Sequence, residues 1–193
     1  MINFQVPGAI RAIQCNALGP YRRYWLDREK TQRNPLFDEH CSCILSLKDT
    51  SNRDFGRAVK FFTDRLVPMF KQAQNLPASE LLIVPSSTAG KVPPGIEKIV
   101  EAICAADKRF TYRKGAFQRI KTISKLARGG DRSMSIQLAS LRYDDHKRAP
   151  LNKWIFDDVS TTGHSLAACA QLIHAETPRA VVRAMVLGKT VDD

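Results

Sequence analysis

The sequence lacks any long uninterrupted run of apolar residues, although 44% of its 193 residues are hydrophobic. A membrane-spanning helix needs about 20 consecutive apolar residues, so we expect no membrane span and no membrane partner. Residues 1–7 also lack the basic-then-apolar pattern of a signal peptide. Both absences favour a cytoplasmic protein, and the hydrophobic fraction is sufficient for a folded core.

Cysteine is scarce and irregularly spaced. The five cysteines are an odd number without framework spacing, which suits a reducing compartment better than a disulfide-stabilised secreted domain. Cys15, His40, Cys41 and Cys43 could together supply four zinc ligands. However, Cys-x-Cys is an unusual spacing for zinc, and no second pair follows. Residues 43–47 are typical of a strand, so we expect Cys43 to be a buried strand residue, with zinc binding as the alternative.

Acidic residues are also in deficit: 19 Asp and Glu stand against 30 Lys and Arg, which gives a formal net charge of +11. Most of the excess lies in residues 108–153, which hold thirteen basic and three acidic residues. This segment favours a polyanionic ligand or partner, with a solvated basic face as the alternative. Residues 1–34 add arginines among aromatics. These aromatics could stack on the bases of a nucleic acid or pack on the rest of the domain.

Residues 154–165 are the most informative stretch of the chain. Apolar residues 154–156 have the aromatic and β-branched content of a buried strand, and Asp157 and Asp158 follow where it would end. A turn leading into a helix binds anions through its backbone amides, and hydroxyl side chains add donors. Ionised carboxylates accept hydrogen bonds from sugar hydroxyls. The stretch therefore predicts a site for a ribose 5-phosphate group. The phosphate-binding residues would be Ser160, Thr161, Thr162, Gly163, His164 and Ser165.

Residues 156–163 read FDDVSTTG and resemble the phosphoribosyl pyrophosphate (PRPP) motif of type I phosphoribosyltransferases. The resemblance implies that Asp157 and Asp158 are the catalytic acidic pair, which holds the ribose hydroxyls, and that the following turn holds the 5-phosphate. It also implies that PRPP binds with Mg²⁺, for which the same two carboxylates are the candidate ligands. His164 stands where the family commonly has a small residue, and Ser165 stands where it commonly has Thr.

A second strand, turn and helix occur earlier in the chain. Residues 79–85 predict a buried strand, residues 96–105 predict a helix, and a hydroxyl-rich turn ending in a lysine lies between them. The spacing is not that of a P-loop. In the family, a loop after an earlier strand holds pyrophosphate, and an ordinary surface turn is the alternative here. The resemblance implies pyrophosphate binding by Ser86, Ser87, Thr88, Ala89, Gly90 and Lys91.

A mobile loop closes over the pyrophosphate in the family, ahead of the PRPP strand. The resemblance implies that role for basic residues of the 108–153 segment, within which we also expect a helix over residues 117–126. The candidates for the mobile basic loop are Arg113, Lys114, Arg128 and Arg132. Elsewhere, the spacing of apolar residues predicts a helix over residues 54–73 and a further strand over residues 179–189.

These observations predict an α/β fold like that of the type I phosphoribosyltransferases, with a mostly parallel sheet and helices on both faces. Residues 81–85 and 154–158 should be internal strands. We expect residues 1–40 to form a small basic and aromatic N-terminal appendage and residues 41–193 to form the α/β domain.

The implied activity is transfer of a phosphoribosyl group from PRPP to a nucleobase, nucleotide or nucleic-acid acceptor, with release of pyrophosphate. The order of motifs resembles the ComF-like branch, which is linked to DNA uptake, and related domains occur in phage-defence systems. The alternative is a non-catalytic module of such a system. It would sense PRPP or a nucleotide, bind nucleic acid through residues 108–153 and the N-terminal arm, or act as a toxin-like effector. A protein partner and a homo-oligomer both remain open.

Overall fold

The computed structural model describes residues 1–9, 11–27, 29–124, 133–145 and 149–191. In chain order, the elements are β1 (Ile2–Gln5), β2 (Gln14–Tyr21), α1 (Glu39–Ser46), α2 (Phe55–Gln72), β3 (Ser79–Ile83), α3 (Pro94–Ala106), β4 (Phe110–Tyr112), β5 (Phe117–Arg119), α4 (Met134–Ser140), β6 (Leu141–Tyr143), β7 (Asn152–Ser160), α5 (His164–Glu176) and β8 (Val181–Thr190). None of the helices in these ranges is both long and apolar enough to cross a lipid bilayer.

Six strands form one mixed sheet in the order β1-β2-β8-β7-β3-β4. All neighbouring strands are parallel except β1 and β2, which are antiparallel. Strands β5 and β6 form a separate antiparallel pair. The sheet confirms the predicted α/β class with a mostly parallel sheet. It also confirms that residues 81–83 and 154–158 belong to internal strands, since β3 and β7 each have a partner on both sides, whereas residues 84 and 85 lie beyond the end of β3.

Helices cover both faces of the sheet because the internal strands are apolar on both faces. Leu81 and Ile83 of β3 pack with buried residues of α2 and α3. The alternate residues Leu82 and Val84 pack with α5 on the opposite face. This two-residue alternation is the geometry of a strand buried on both sides, and it explains why β3 reads as a continuous apolar run.

The connections leaving β3 and β7 diverge, and this divergence positions the site. The chain runs from β3 through α3 to β4 at one edge of the sheet. From β7 it runs through α5 to β8, toward the other edge and over the other face. In open parallel sheets, such a divergence opens a crevice at the carboxyl ends of the two strands, where ligands bind.

The prediction of a strand over residues 43–47 is wrong, because these residues lie in α1 and its C-cap. The Asp38 carboxylate caps this helix by accepting a hydrogen bond from the Cys41 amide at 2.9 Å. Cys41, Ile44 and Leu47 are buried at a three-residue spacing, which is a helix face. Cys43 is buried, as expected, but on a helix. A short apolar run fits the period of a strand or that of a helix, so the residues that it packs against decide which of the two forms.

The prediction of a helix beginning at Phe117 is also wrong. Phe117–Arg119 form β5, whose buried, exposed, buried pattern is that of a strand. Ile120, which would have been a core residue of that helix, is 57% exposed. The remainder of the predicted helix, from residue 125, lies outside the described residues.

The predicted boundary at residue 40 does not divide the sheet. Strand β2 pairs in parallel with β8 from Gln14 to Tyr21, and Cys15 and Ala17 within it are completely buried. Residues 1–21 therefore supply two of the six strands instead of an appendage. The aromatic residues beyond β2 contact one another: the Tyr24 ring lies edge-to-face against Trp25 and Phe37, with centroid distances of 4.8 and 4.9 Å. These contacts favour packing, the alternative to base stacking that the sequence left open.

Candidate functional site

A cleft of about 670 Å³ lies at the carboxyl ends of β3 and β7, where the connections diverge. Residues 157–166 line it continuously, so the acidic pair and the turn that follows share one wall. Ser86, Ser87 and Lys91 of the second turn line the cleft as well. The structure thus brings together the two turns that the sequence singled out. Three members of the second turn, Thr88, Ala89 and Gly90, are not part of the wall.

The acidic pair lies within β7 instead of following it, because the strand extends to Ser160. Asp157 pairs with Val186 of β8. Its Oδ1 accepts a hydrogen bond from the Asp158 amide at 2.8 Å, and Asp158 Oδ1 accepts one from the Val159 amide at 2.7 Å. Each carboxylate is therefore anchored to the strand through one oxygen.

Lys48 is a residue of the cleft that sequence reasoning missed. It follows α1, and its Nζ lies 3.1 Å from Asp158 Oδ2. Burial lowers the pKa of Lys48, but the carboxylates of Asp158 and Asp157 outweigh burial and raise the pKa above its usual value. The lysine is therefore a cation beside the acidic pair at neutral pH. No sequence motif marks it, because it is far from the pair along the chain.

The N-terminus of α5 opens onto the cleft without a side-chain cap among the described residues. The N-cap is Gly163, at φ 80°. The first amides of a helix have no intrahelical acceptor, so this end can donate to an anion. A Cβ on Gly163 would lie 3.2 Å from atoms of Val6 and Pro7, which back the turn. Lys189 Nζ donates to the Thr161 carbonyl and ties the turn to β8.

Ser160 lies at the end of β7, in the wall of the cleft. It is 3% exposed, and its hydroxyl has no hydrogen-bond partner within the described residues. A buried hydroxyl without a partner is costly, so a ligand oxygen at this point would satisfy it.

The second turn differs from the first because its backbone amides are already used. Five of its six amides donate to acceptors inside the protein. The acceptors are Lys91 O for Ser86, Ser86 Oγ for Thr88, Thr122 Oγ1 for Ala89, Arg119 O for Gly90 and Thr88 O for Lys91. The turn is therefore rigid, and it offers an anion mainly side chains, namely its hydroxyls and Lys91.

Two of the four candidates for the mobile basic loop, Arg113 and Lys114, lie in the described residues, and neither is at the cleft. Arg113 Nε lies 3.3 Å from Glu80, and Lys114 Nζ lies 3.0 Å from Glu97. Neither basic residue lines the cleft. Arg128 and Arg132 lie outside the described residues.

A buried ionic network lies at the amino ends of β3 and β7, whereas the cleft lies at their carboxyl ends. Lys153 is completely buried, with Nζ 2.9 Å from Glu80 and 3.2 Å from Asp145. Burial raises the pKa of Asp145, but hydrogen bonds from Thr177, Tyr143 and Lys153 outweigh it and lower the pKa below its usual value. Part of the positive charge of residues 108–153 is therefore internal.

The candidate zinc ligands do not form a metal site. In the part of the chain that the structure describes, no group of three or more His, Cys, Asp or Glu side chains could hold a metal ion. His40 Nε2 is instead hydrogen-bonded to the Leu187 carbonyl at 2.9 Å. Cys15 is buried in β2, and burial, followed by the nearby Asp157, raises its thiol pKa to about 12.

Helix α4 and its N-cap supply two more cleft residues, Gln137 and Ser133, that sequence reasoning missed.

No protein-family model matches this chain, and no curated protein matches it in sequence. The PRPP-like motif and the geometry of the cleft are therefore the features that bear on function.

Proposed function

We propose that this chain is a phosphoribosyltransferase that binds PRPP with Mg²⁺ and transfers its phosphoribosyl group to a nucleobase, nucleotide or nucleic-acid acceptor. One observation carries the proposal. A single cleft at the divergence of β3 and β7 contains the acidic pair, the uncapped start of α5 and Lys91. These groups match the hydroxyls, the 5-phosphate and the pyrophosphate of the same ligand.

Each part of PRPP has a complementary surface in the cleft. The 5-phosphate binds at the α5 N-terminus, where the first amides have no intrahelical acceptor and the helix dipole favours an anion. The ribose hydroxyls donate to Asp157 and Asp158. The pyrophosphate extends toward Lys91 and the hydroxyls of the second turn. Lys48, paired with Asp158, adds positive charge close to the ribose.

The transfer forms one bond and breaks another at the anomeric carbon. A nitrogen of the acceptor attacks this carbon while its bond to the pyrophosphate oxygen breaks, and pyrophosphate leaves with the electron pair. Positive charge develops on the ribose, beside Asp157 and Asp158, and negative charge develops on the leaving group, beside Lys91. The protein accelerates the reaction by holding the reactants in position and stabilising these charges.

The donor set at the acidic pair fits a Mg²⁺ ion shared with the ligand. Mg²⁺ prefers oxygen ligands and is usually held by one or two carboxylates together with substrate phosphates and waters. Asp157 and Asp158 each use one oxygen on a backbone amide, and Asp158 also contacts Lys48. Both carboxylates would be protein ligands of the ion. When bound, the ion would neutralise charge on the pyrophosphate.

Asparagine substitutions test the proposal. Asp157→Asn and Asp158→Asn keep the side-chain shape but remove the charge that accepts from the ribose hydroxyls. Hydrogen bonds to charged groups contribute about 1.5–3 kcal/mol, so each variant should bind PRPP about ten- to a hundredfold more weakly in calorimetry. Both variants should still bind sulfate at the α5 N-terminus, which does not use these carboxylates.

The matched control is Asp64→Asn, which removes an exposed carboxylate paired with Lys60 on α2. It should bind PRPP like the parent protein. If Asp157→Asn and Asp158→Asn also bind PRPP like the parent, the acidic pair does not hold ribose and the proposal loses its main support.

A turnover assay separates an enzyme from a sensor. Pyrophosphate release from labelled PRPP, measured with nucleobases, nucleotides and nucleic acid as acceptors, should appear with one of these classes and disappear in Asp157→Asn. PRPP binding without any such release would favour the non-catalytic alternative. Binding of nucleic acid that survives Asp157→Asn and weakens steeply with salt would favour a nucleic-acid-binding module.

A further inference from the structure

Arg119 is a buried arginine that connects the second turn to the cleft wall. Its side chain is at the end of β5 and the residue is 2% exposed. Nε donates to the Ser86 carbonyl at 3.1 Å, Nη1 donates to the Ser140 hydroxyl, and Nη2 donates to Gln137 Oε1 at 3.0 Å. One guanidinium therefore fixes the first residue of the second turn and a side chain of α4 relative to each other.

The contact with Arg119 determines which way the Gln137 amide points. A guanidinium only donates hydrogen bonds, so the atom of Gln137 that faces it must be the oxygen. The amide nitrogen, Nε2, is then directed away from Arg119. Gln137 is completely buried and belongs to the cleft wall. Nε2 has no hydrogen-bond acceptor within the described ranges. A buried donor of this kind is unfavourable until an acceptor reaches it.

We propose that Gln137 is a binding residue for the pyrophosphate part of the ligand and that Arg119 is its positioning residue. Nε2 donates to a phosphoryl oxygen next to the second turn. The inference rests on the proposed function, since it names a contact within the same cleft. We assign this contact to the pyrophosphate because the guanidinium that orients Gln137 also holds Ser86, the first residue of the second turn.

The chemistry of the second turn explains why another donor is needed there. Five of the six amides of this turn donate inside the protein, so its backbone cannot surround an anion as the α5 N-terminus can. Lys91 supplies charge, but a lysine has no fixed hydrogen-bonding direction. The Gln137 amide, held by Arg119, supplies a donor of fixed direction.

Calorimetry of Gln137→Met with three ligands, each with Mg²⁺, tests the proposal. Methionine has a similar length but no donor. The variant should bind pyrophosphate and PRPP about ten- to a hundredfold more weakly, because a hydrogen bond to a charged group is lost. Ribose 5-phosphate should bind as it does to the parent, since the α5 N-terminus is unchanged. A merely structural defect would weaken all three ligands together.

Three further variants separate the donor from the network. Gln137→Glu keeps the oxygen that accepts from Arg119 but replaces the donor with negative charge, so it should lose more pyrophosphate affinity than Gln137→Met. Arg119→Lys keeps the charge but cannot hold three acceptors, and it should show the same ligand selectivity to a smaller extent. Gln72→Met is the matched control. It makes the same substitution at an exposed glutamine at the end of α2, outside the cleft wall, and should leave all affinities unchanged.

Each outcome supports or overturns the inference. If the parent binds PRPP and Gln137→Met and Gln137→Glu bind it equally well, Gln137 is not a ligand contact, and the proposed function stands without it. A loss confined to ribose 5-phosphate, or an equal loss in Gln72→Met, also overturns the inference. If the parent binds neither pyrophosphate nor PRPP, both this inference and the proposed function are wrong. Thermal unfolding of each variant establishes that it is folded.

Discussion

Lys48 forms an ion pair with Asp158, one of the two carboxylates of the acidic pair. Its ammonium shares Asp158 with any ribose hydroxyl that binds there, and it remains half exposed. An exposed ion pair of this kind contributes no more than about 1 kcal/mol to stability, because water and salt screen it. Its main effect is therefore on the charge of the cleft, where it favours an anionic ligand.

The Lys48 ion pair should be visible in the pH dependence of stability. The folded pKa of Lys48 is raised above its unfolded value, so its contribution is fully present below the unfolded pKa. The contribution is lost as pH rises through the folded pKa. The stability difference between the parent and Lys48→Met should therefore persist from neutral pH to about pH 10 and vanish above that, in denaturant unfolding measured across this range.

Lys60→Met is the matched control for Lys48→Met, because Lys60 pairs with Asp64 on the exposed surface of α2. It should change neither stability nor PRPP affinity appreciably, whereas Lys48→Met should weaken PRPP binding. A stability difference for Lys48→Met that stays constant through the alkaline range would show that its charge does not stabilise the fold.

Gly163 combines a backbone requirement with a binding requirement. It has φ 80°, and a Cβ would contact Val6 and Pro7 at 3.2 Å. Gly163→Ala should destabilise the protein by about 1–2 kcal/mol through its left-handed conformation, and the displaced turn should lose sulfate and PRPP affinity. Gly115→Ala has the same strain, at φ 74°, but open space around its Cβ. It should lose similar stability in thermal unfolding yet bind both ligands normally. Equal ligand affinities in the two variants would contradict this assignment.

At the scale of elements, β3 and β7 have different chemistry at their two ends. Their carboxyl ends line the cleft, whereas their amino ends hold the buried pair of Glu80 and Lys153, which are directly opposite in the sheet register. Taking two charges out of water is expensive and is offset only when both remain paired. The amino ends should therefore determine stability, and the carboxyl ends should determine ligand binding.

Lys153→Met separates these two roles. It leaves the buried Glu80 carboxylate and the half-buried Asp145 carboxylate without the Lys153 ammonium and should destabilise the protein by about 3–5 kcal/mol in denaturant unfolding. PRPP affinity of the folded variant, measured at low temperature, should be unchanged, since Lys153 does not line the cleft. Lys98→Met, which breaks the exposed pair with Glu101, is the control and should change stability far less, because water and salt screen an exposed pair. A small loss for Lys153→Met would mean that the network is not stabilising.

At the scale of the whole molecule, the sheet extends across the expected domain boundary. Strand β2 is hydrogen-bonded to β8 along most of its length. His40, at the start of α1, is hydrogen-bonded to the Leu187 carbonyl of β8. Val6 and Pro7 lie behind Gly163, which is part of the cleft wall. The first 40 residues are thus part of both the core and the surroundings of the candidate site.

A truncated chain that begins at residue 41 should therefore fail to fold cooperatively. It would expose the edge of β8 and lose the Asp38 cap of α1, together with the buried Cys15 and Ala17. Circular dichroism during heating should show no sharp transition, and amide exchange in β8 should be fast. A truncated chain that unfolds cooperatively and binds PRPP would restore the boundary predicted from sequence.

The sequence alone determined the elements whose local pattern has one solution. The helices α2, α3 and α5 have long amphipathic or turn-initiated patterns, and β3 and β7 are apolar runs bounded by turns. The FDDVSTTG stretch located the acidic pair and the α5 N-terminus, because strand, turn and helix follow directly in the chain. Gly163, which the sequence named as a phosphate-binding residue, is the N-cap of α5.

Tertiary structure decided everything that depends on partners distant in sequence. Residues 43–47 are helical because Asp38 caps them and the sheet buries one face, and residues 117–119 are extended because β6 pairs with them. Lys48 and Gln137 reach the cleft only through folding, and two amides of the second turn donate to the Arg119 carbonyl and the Thr122 hydroxyl. Local pattern fixes an element, but burial, pairing and charge neutralisation depend on which other segments the fold brings beside it.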